Sequence, residues 1–365
     1  MIDISVLKNE EKAVFALRSL YQQYGYLPFK MSKFEEYDLY VRNKDFLVSD
    51  SVITFNDTDG RLLALKPDVT LSIIKNTVDG DGVKQKVYYN ENVYRVSGKT
   101  HRFKEIMQTG LECIGDTDIY DVLEVIYLAA KSLDGVSSDF VLDISHMGIL
   151  SAVLSSVTNE ALFKKEITKL ISEKNRHEAE ALCASYSIGE EDKEAIMSFF
   201  ELYGDVDEVL ERLSPICEHR GAEEALTELK TLWSFLSKTE FSGKIRFDFS
   251  VINDMNYYNG IVFRGFLSGV SEGVLSGGEY GMLMRRMGRR SKAIGFALYL
   301  DLLEELGGQR RDVDVDVIIL YSENTPAELI ISKKTDLIKG GKSVLLSKSV
   351  PEKIRYREII DLDRK

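Results

Sequence analysis

A chain of 365 residues is too long for one small core, so two or three compact units are expected. Its 44% hydrophobic and 29% charged residues suit an ordinary soluble globular protein, and no apolar run approaches the roughly 20 residues of a membrane span. A net charge of −12 and a pI near 5.1 set the overall field against polyanions, so nucleic acid is not an expected partner.

The start of the chain is acidic and polar, without a signal-peptide pattern. Residues Asn9 to Gly25 read as a helix: Val14, Leu17, Leu20, Tyr21 and Tyr24 fall at spacings of three and four, and Gly25 suits the stop. Glu35, Glu36 and Asp38 follow as a solvated acidic loop or short helix. Val52 to Phe55 and Leu62 to Leu65 read as two strands around the turn-rich "NDTDG", after which Thr70 is positioned to cap a helix through Ile73 and Ile74. Val87 to Val96 and Arg102 to Ile114 read as antiparallel strands. Arg95, Lys99, Arg102 and Lys104 around the intervening loop would offer cations to an anion, or form an exposed basic tip. Asp121 to Leu133 reads as a helix and Phe140 to Ile144 as a buried strand.

From about Leu150 to Lys238 the period becomes helical throughout, and the β pattern resumes at Lys244. This predicts a mixed core in two pieces, 1–150 and 240–310, with an all-helical insertion at 151–239 between them; insertion at an exposed loop costs little. Ile245, Phe247, Phe249 and Val251 alternate with polar residues, as in a half-buried strand. A polar loop then carries Tyr257 and Tyr258, a second strand begins at Ile261, and Gly277-Gly278 permits close approach. These parts would make one wall of a small-molecule pocket, or a hairpin with core tyrosines. Ala293 to Leu306 reads as a strand running into an apolar helix. A small α/β unit at 313–365 follows, with strands at Val313–Leu320 and Ser343–Leu346 around a helix at Ala327–Ile338. Arg285, Arg286, Arg289 and Arg290 read as a basic loop surface. Cys113, Cys183 and Cys217 have neither metal nor disulfide spacing, which fits a reducing cytoplasm; no metal or cofactor is expected.

Several stretches in order resemble the histidyl-tRNA synthetase family. "LALKPDVTLSIIKN" is similar to its first substrate loop, and "ENVYRVSGKTHRFKEIMQTGLECIG" resembles class II motif 2. "NYYNGIVF" and "VLSGGEYG" resemble its two histidine-specific segments, and "AIGFALYLDLL" resembles motif 3. The resemblance implies an α+β fold: a class II aminoacyl-tRNA synthetase-like antiparallel sheet flanked by helices, with the insertion and the small C-terminal unit added. It also implies a histidine pocket. Asp68 stands where the family has a Glu that pairs with the ammonium. Thr70, Gln108, Glu112, Tyr258 and Tyr280 match pocket positions, with Tyr257 beside them. Arg95 would meet the carboxylate, and Gly277 and Gly278 would line the floor.

The departures fall on the nucleotide side. Ser97 replaces a Glu that helps hold ATP, and the motif 2 loop is one residue shorter. Leu302 replaces the motif 3 arginine, and Asn253 an arginine that aids carboxylate activation. Adenylyl transfer needs cations against developing negative charge, so loss of adenylation is expected. This combination resembles the regulatory subunits of ATP phosphoribosyltransferase. That resemblance implies no catalysis by the chain itself, a homodimer, assembly with short catalytic subunits into a hetero-octamer in the cytoplasm, and feedback by histidine in the first step of histidine biosynthesis. Val313–Lys365 would be a shortened remnant of the synthetase's C-terminal domain. A divergent histidyl-tRNA synthetase and a stand-alone amino-acid sensor are the alternatives.

Overall fold

The computed structural model describes residues 7–43, 52–78, 80, 82–96, 102–252, 258–306 and 312–364. The expectations for Ser97, Lys99, Asn253 and Tyr257 lie outside these. The chain divides into two units, residues 1–306 and 307–365.

In the first unit, α1 (Asn9–Gln23) buries Ala13, Val14, Leu17 and Tyr21, with Leu20 and Tyr24 packed at the margin. Gly25 has φ +80°, a left-handed geometry cheap only for glycine, and β1 (Leu27–Pro28) follows. The acidic stretch is neither a loop nor wholly a helix. Phe34, Glu35 and Glu36 form β2 (Phe34–Glu36), and Asp38 lies in α2 (Tyr37–Arg42). The strand forms because β3 (Thr54–Asn56) and β4 (Leu62–Leu65) complete a three-stranded sheet in the order β2-β4-β3, a partner the local sequence does not reveal.

After α3 (Thr70–Asn76), β5 (Lys84–Val96) and β6 (Phe103–Gly115) pair in an antiparallel ladder from Lys84↔Gly115 to Val96↔Phe103. The hairpin is buried at its base and exposed toward Phe103. α4 (Ile119–Asp134) begins on a capping box: Asp118 accepts from the amides of Tyr120 and Asp121, and the Asp121 carboxylate accepts from the Asp118 amide.

β7 (Phe140–His146) leads into α5 (Met147–Val157), α6 (Ala161–Ser172), α7 (Arg176–Ser185) and α8 (Glu190–Ser198). A two-residue strand, β8 (Tyr203–Gly204), interrupts the helices before α9 (Val206–Cys217) and α10 (Glu223–Leu236). The segment expected to be all helical thus contributes one edge of the sheet. Its apolar stripes join the same core as α1 and α4.

The sheet continues with β9 (Ile245–Asp248), β10 (Ile261–Leu267), β11 (Leu275–Glu279) and, after the short helix α11 (Gly281–Arg286), β12 (Lys292–Tyr299). The alternation that predicts a strand to Val251 is truncated at Asp248, one residue past the last β7 partner, Phe247 opposite Ile144. Arg285 and Arg286 lie in the last turn of α11 rather than in a loop. Motif 3 ends in a 3₁₀ helix, Leu300–Leu306.

The nine strands run β1-β5-β6-β12-β11-β10-β7-β9-β8, with β1–β5 and β7–β9 parallel and the other pairs antiparallel. Helices cover one face. A Cβ on Gly265 of β10 would lie 2.6 Å from Leu133 of α4, so glycine there permits close helix–sheet packing.

The second unit is a parallel sheet of β13 (Val315–Leu320), β14 (Val344–Ser347) and β15 (Tyr356–Asp361), with α12 (Ala327–Lys339) connecting the first two. β15 is a strand the sequence reading does not contain. The alternating aspartates of the central strand region tie its neighbours. Asp314 accepts from the Arg355 amide at 2.8 Å, and Asp316 from the Ser343 amide and hydroxyl at 2.9 and 2.8 Å.

Candidate functional site

Directly paired residues share a face of a sheet, so the ladders define the pocket wall. Glu112, Gly295, Gly278 and Val262 form one row across β6, β12, β11 and β10 on the face away from α4. Gln108, four residues from Glu112, and Arg95, whose partner Lys104 is eight residues from it, belong to the same face along the hairpin. The glycine pair therefore splits. Gly278 faces the pocket, where an added Cβ would lie 2.9 Å from the Tyr258 ring. Gly277 faces the core, where a Cβ would strike Phe263 and Phe296, and so forms no part of the pocket floor.

Glu112 is the centre of the arrangement. It is buried, with Oε1 accepting from the Thr70 hydroxyl at 2.9 Å and Oε2 from the Tyr280 hydroxyl at 2.6 Å. Burial pushes its carboxyl up to about 8; the Tyr280 and Thr70 hydroxyls oppose that rise, and the charge of Asp68 adds to it. The sequence reading misses what makes room for this group. A Cβ at Gly295 would collide with the Glu112 carboxylate, so only glycine fits opposite it. Likewise a Cβ at Gly110 would strike the Phe296 carbonyl and the hydroxyl of buried Tyr89.

The start of α3 brings in Asp68 and Thr70. Thr70 is not the cap. It is the first helical residue, after Val69, and its hydroxyl is directed at Glu112. Asp68 takes the helix-start role instead, accepting from the Leu71 amide at 2.9 Å. Burial raises the Asp68 carboxyl, against the Leu71 N–H and the nearby Arg95 charge. Lys66, just before it, is fully buried and donates to Glu91 at 2.9 Å; burial lowers its ammonium, while Glu91 holds it up.

Arg95 is half-buried and donates from Nε to the Pro67 carbonyl at 2.9 Å, which fixes its guanidinium beside Asp68. Lys104 is paired with Asp301 at 2.7 Å, and Arg102 is exposed. Two of the described hairpin cations, Arg95 and Lys104, are thus engaged by the protein. Gln108 is buried at the next step of the wall. Burial raises the Tyr258 hydroxyl well above its ordinary value; Tyr299, Glu112 and Asp68 add to this and Arg95 opposes it. The structure therefore brings Asp68, Thr70, Arg95, Gln108, Glu112, Tyr258, Gly278 and Tyr280 to one wall.

Chemically, this face gathers two carboxyls, several hydroxyls and one guanidinium. On the nucleotide side, Leu302 of the 3₁₀ helix packs against the hydrophobic core. Among the described residues, no group of three or more His, Cys, Asp or Glu side chains could hold a metal ion, and no helix is long and apolar enough to cross a membrane.

The antiparallel-rich sheet, its helix-covered face and this wall define a class II aminoacyl-tRNA synthetase-like α+β protein. A family model for histidyl-tRNA synthetase matches residues 5–303, and the chain belongs to that family. A relative from Oceanobacillus iheyensis named ATP phosphoribosyltransferase regulatory subunit is 28% identical over 353 residues, 95% of this chain and 87% of its own. The crystal structure of an ATP phosphoribosyltransferase regulatory subunit/histidyl-tRNA synthetase from Bacillus halodurans C matches with a TM-score of 0.76 at 24% identity, over 99% of this chain and 96% of that one. A chain of the HisG:HisZ ATP phosphoribosyl transferase complex from Thermotoga maritima matches with a TM-score of 0.63 at 21% identity, over 80% of this chain and 97% of that one. At these identities the two structures establish the fold.

Proposed function

We propose that this chain is a regulatory subunit of ATP phosphoribosyltransferase. It does not catalyse; it joins and activates a short catalytic subunit in a cytoplasmic hetero-octamer built on homodimers, and it carries histidine feedback. The observation that carries the reading is a contrast within one site. The Glu112–Thr70–Tyr280 cluster is built as in a ligand pocket, while the motif 3 arginine position holds Leu302, a partly buried apolar side chain packed against the core. The name of the Oceanobacillus relative and the fold of the Thermotoga complex support it.

Histidine is the proposed occupant. Its ammonium or imidazole would meet Glu112 and Asp68, its carboxylate Arg95, and its ring the Tyr258 side of the wall. A bound cation favours the charged form of Glu112, so binding would release a proton at neutral pH. Feedback then follows from linkage: histidine shifts the assembly toward whichever state binds it better.

The test is reconstitution. Purified chain is mixed with a short-form catalytic subunit, and phosphoribosyl transfer is followed during gel filtration. Co-elution with a several-fold rise in rate is expected. Separate elution with an unchanged rate would reject the reading.

A further inference from the structure

A second, part-buried polar cluster lies behind the pocket, on the helix-covered face of the sheet. Glu279, the last residue of β11, points there because Gly278 before it faces the pocket. Its Oε2 accepts from the Ile261 amide at 2.8 Å. Its own carbonyl accepts from the Asn259 amide at 3.2 Å, and a Cβ on Gly260 would collide with its carboxylate. Asn259, Gly260 and Ile261 are thereby clasped between Glu279 and the Met147 amide, which donates to the Gly260 carbonyl at 2.8 Å. The residue immediately before this clasp is Tyr258; the residue immediately after Glu279 is Tyr280.

Ile261, which Glu279 holds, is the ladder partner of His146 at the end of β7, and His146 in turn meets Glu228 on α10. His146 is buried. Its Nδ1 accepts from the Gly148 amide at 3.1 Å, so the ring proton belongs on Nε2, which donates to Glu228 Oε2 at 3.2 Å. The groups that act on the Glu279 charge are Glu228, His146 and Lys292, besides the Ile261 N–H. Burial raises the Glu279 carboxyl and Glu228 adds to the rise, while Ile261, His146 and Lys292 oppose it. The hydrogen bond from His146 holds Glu228 low.

We propose that Glu279 is a positioning residue of the pocket: it latches Asn259–Ile261 from the far side of the sheet and, through His146 and Glu228, ties helix α10 to the Tyr258 arm. Nothing in the cluster touches the pocket contents. Its action is to hold Tyr258 against Gly278 and Tyr280 against Glu112, so a displacement of α10 reaches the pocket by a short packed route. The proposal deepens the histidine-pocket reading and rests on it for its effect on affinity.

Two readouts separate the two claims. Hydrogen exchange at the Ile261 amide reports the latch without any ligand, and calorimetry with histidine reports the pocket. In Glu279→Ala, exchange at Ile261 should quicken by about tenfold or more and histidine affinity fall by roughly tenfold, as expected when one buried charge-assisted bond is removed. Glu279→Gln retains an acceptor oxygen and should restore both to within about threefold. Glu228→Gln, acting from α10, should shift both in the same direction by less. If Glu279→Ala does not fold, Gly260→Ala displaces the same carboxylate and serves in its place. Unchanged Ile261 exchange in a folded variant, or faster exchange with unaltered histidine affinity, overturns the proposal. If the parent binds no histidine, the pocket reading fails on that result, while the exchange comparison still decides the latch.

Discussion

The two ends of the β5–β6 hairpin make an instructive contrast. At the buried base, Glu112 receives two hydroxyl hydrogen bonds, sits opposite a glycine whose Cβ would strike its carboxylate, and is bonded to no basic side chain among the described residues. Toward the tip, Arg95 donates to the Pro67 carbonyl beside Asp68, Lys104 pairs with Asp301, and the neighbouring Leu302 packs against the core. A buried carboxyl held up to about 8 is costly unless something uses it, whereas exposed ion pairs cost and contribute little. The difference is what the proposed histidine pocket requires: a carboxyl at the base for a ligand cation, and at the motif 3 position a leucine that offers no charge to a triphosphate.

The strongest way to break this comparison is at the base. Glu112→Gln keeps the shape but removes the charge a ligand cation would meet. Histidine affinity in calorimetry should fall by about 2–3 kcal/mol, roughly 30- to 150-fold. The same variant tests the pH dependence. Because the folded carboxyl lies above its ordinary value of 4.5, its favourable contribution is complete below that pH and is lost as pH rises through about 8. Thermal unfolding of the parent should therefore weaken across that window, and Glu112→Gln should flatten the dependence. An unaltered pH profile would remove Glu112 from this role.

A smaller effect is expected from Gly295→Ala. The new methyl must displace the Glu112 carboxylate or the β12 backbone, so stability should fall by about 1–3 kcal/mol. Histidine affinity should fall with it, but by less than in Glu112→Gln. A variant with the parent's Tm and affinity would show that the close approach is not needed.

Much of this was legible in the sequence where the signal is local. The α1 stripe and the Val- and Tyr-rich hairpin are written in periodicity, and Asp68, Glu112 and Tyr280 were found through ordered motifs. What escaped depends on distant partners. β2 forms only because β4 lies beside it, and β15 only because β13 does. Gly295 has meaning only against Glu112, 183 residues earlier in the chain. Glu279 has meaning only against Ile261 and His146. Gly277 and Gly278 look alike as a pair, and only the strand register assigns them to opposite faces. Thr70 was read as a cap because its type and place suit one, yet Asp68 takes the free amide and leaves the hydroxyl for Glu112.

The measurement that bears most directly on the contrast is histidine-dependent ATP–pyrophosphate exchange by the purified chain alone. With Leu302 at the motif 3 arginine position and Lys104 paired with Asp301, the rate should stay at background at saturating histidine and ATP. Sustained exchange above background would mean that the chain activates histidine itself, and the regulatory account would be contradicted.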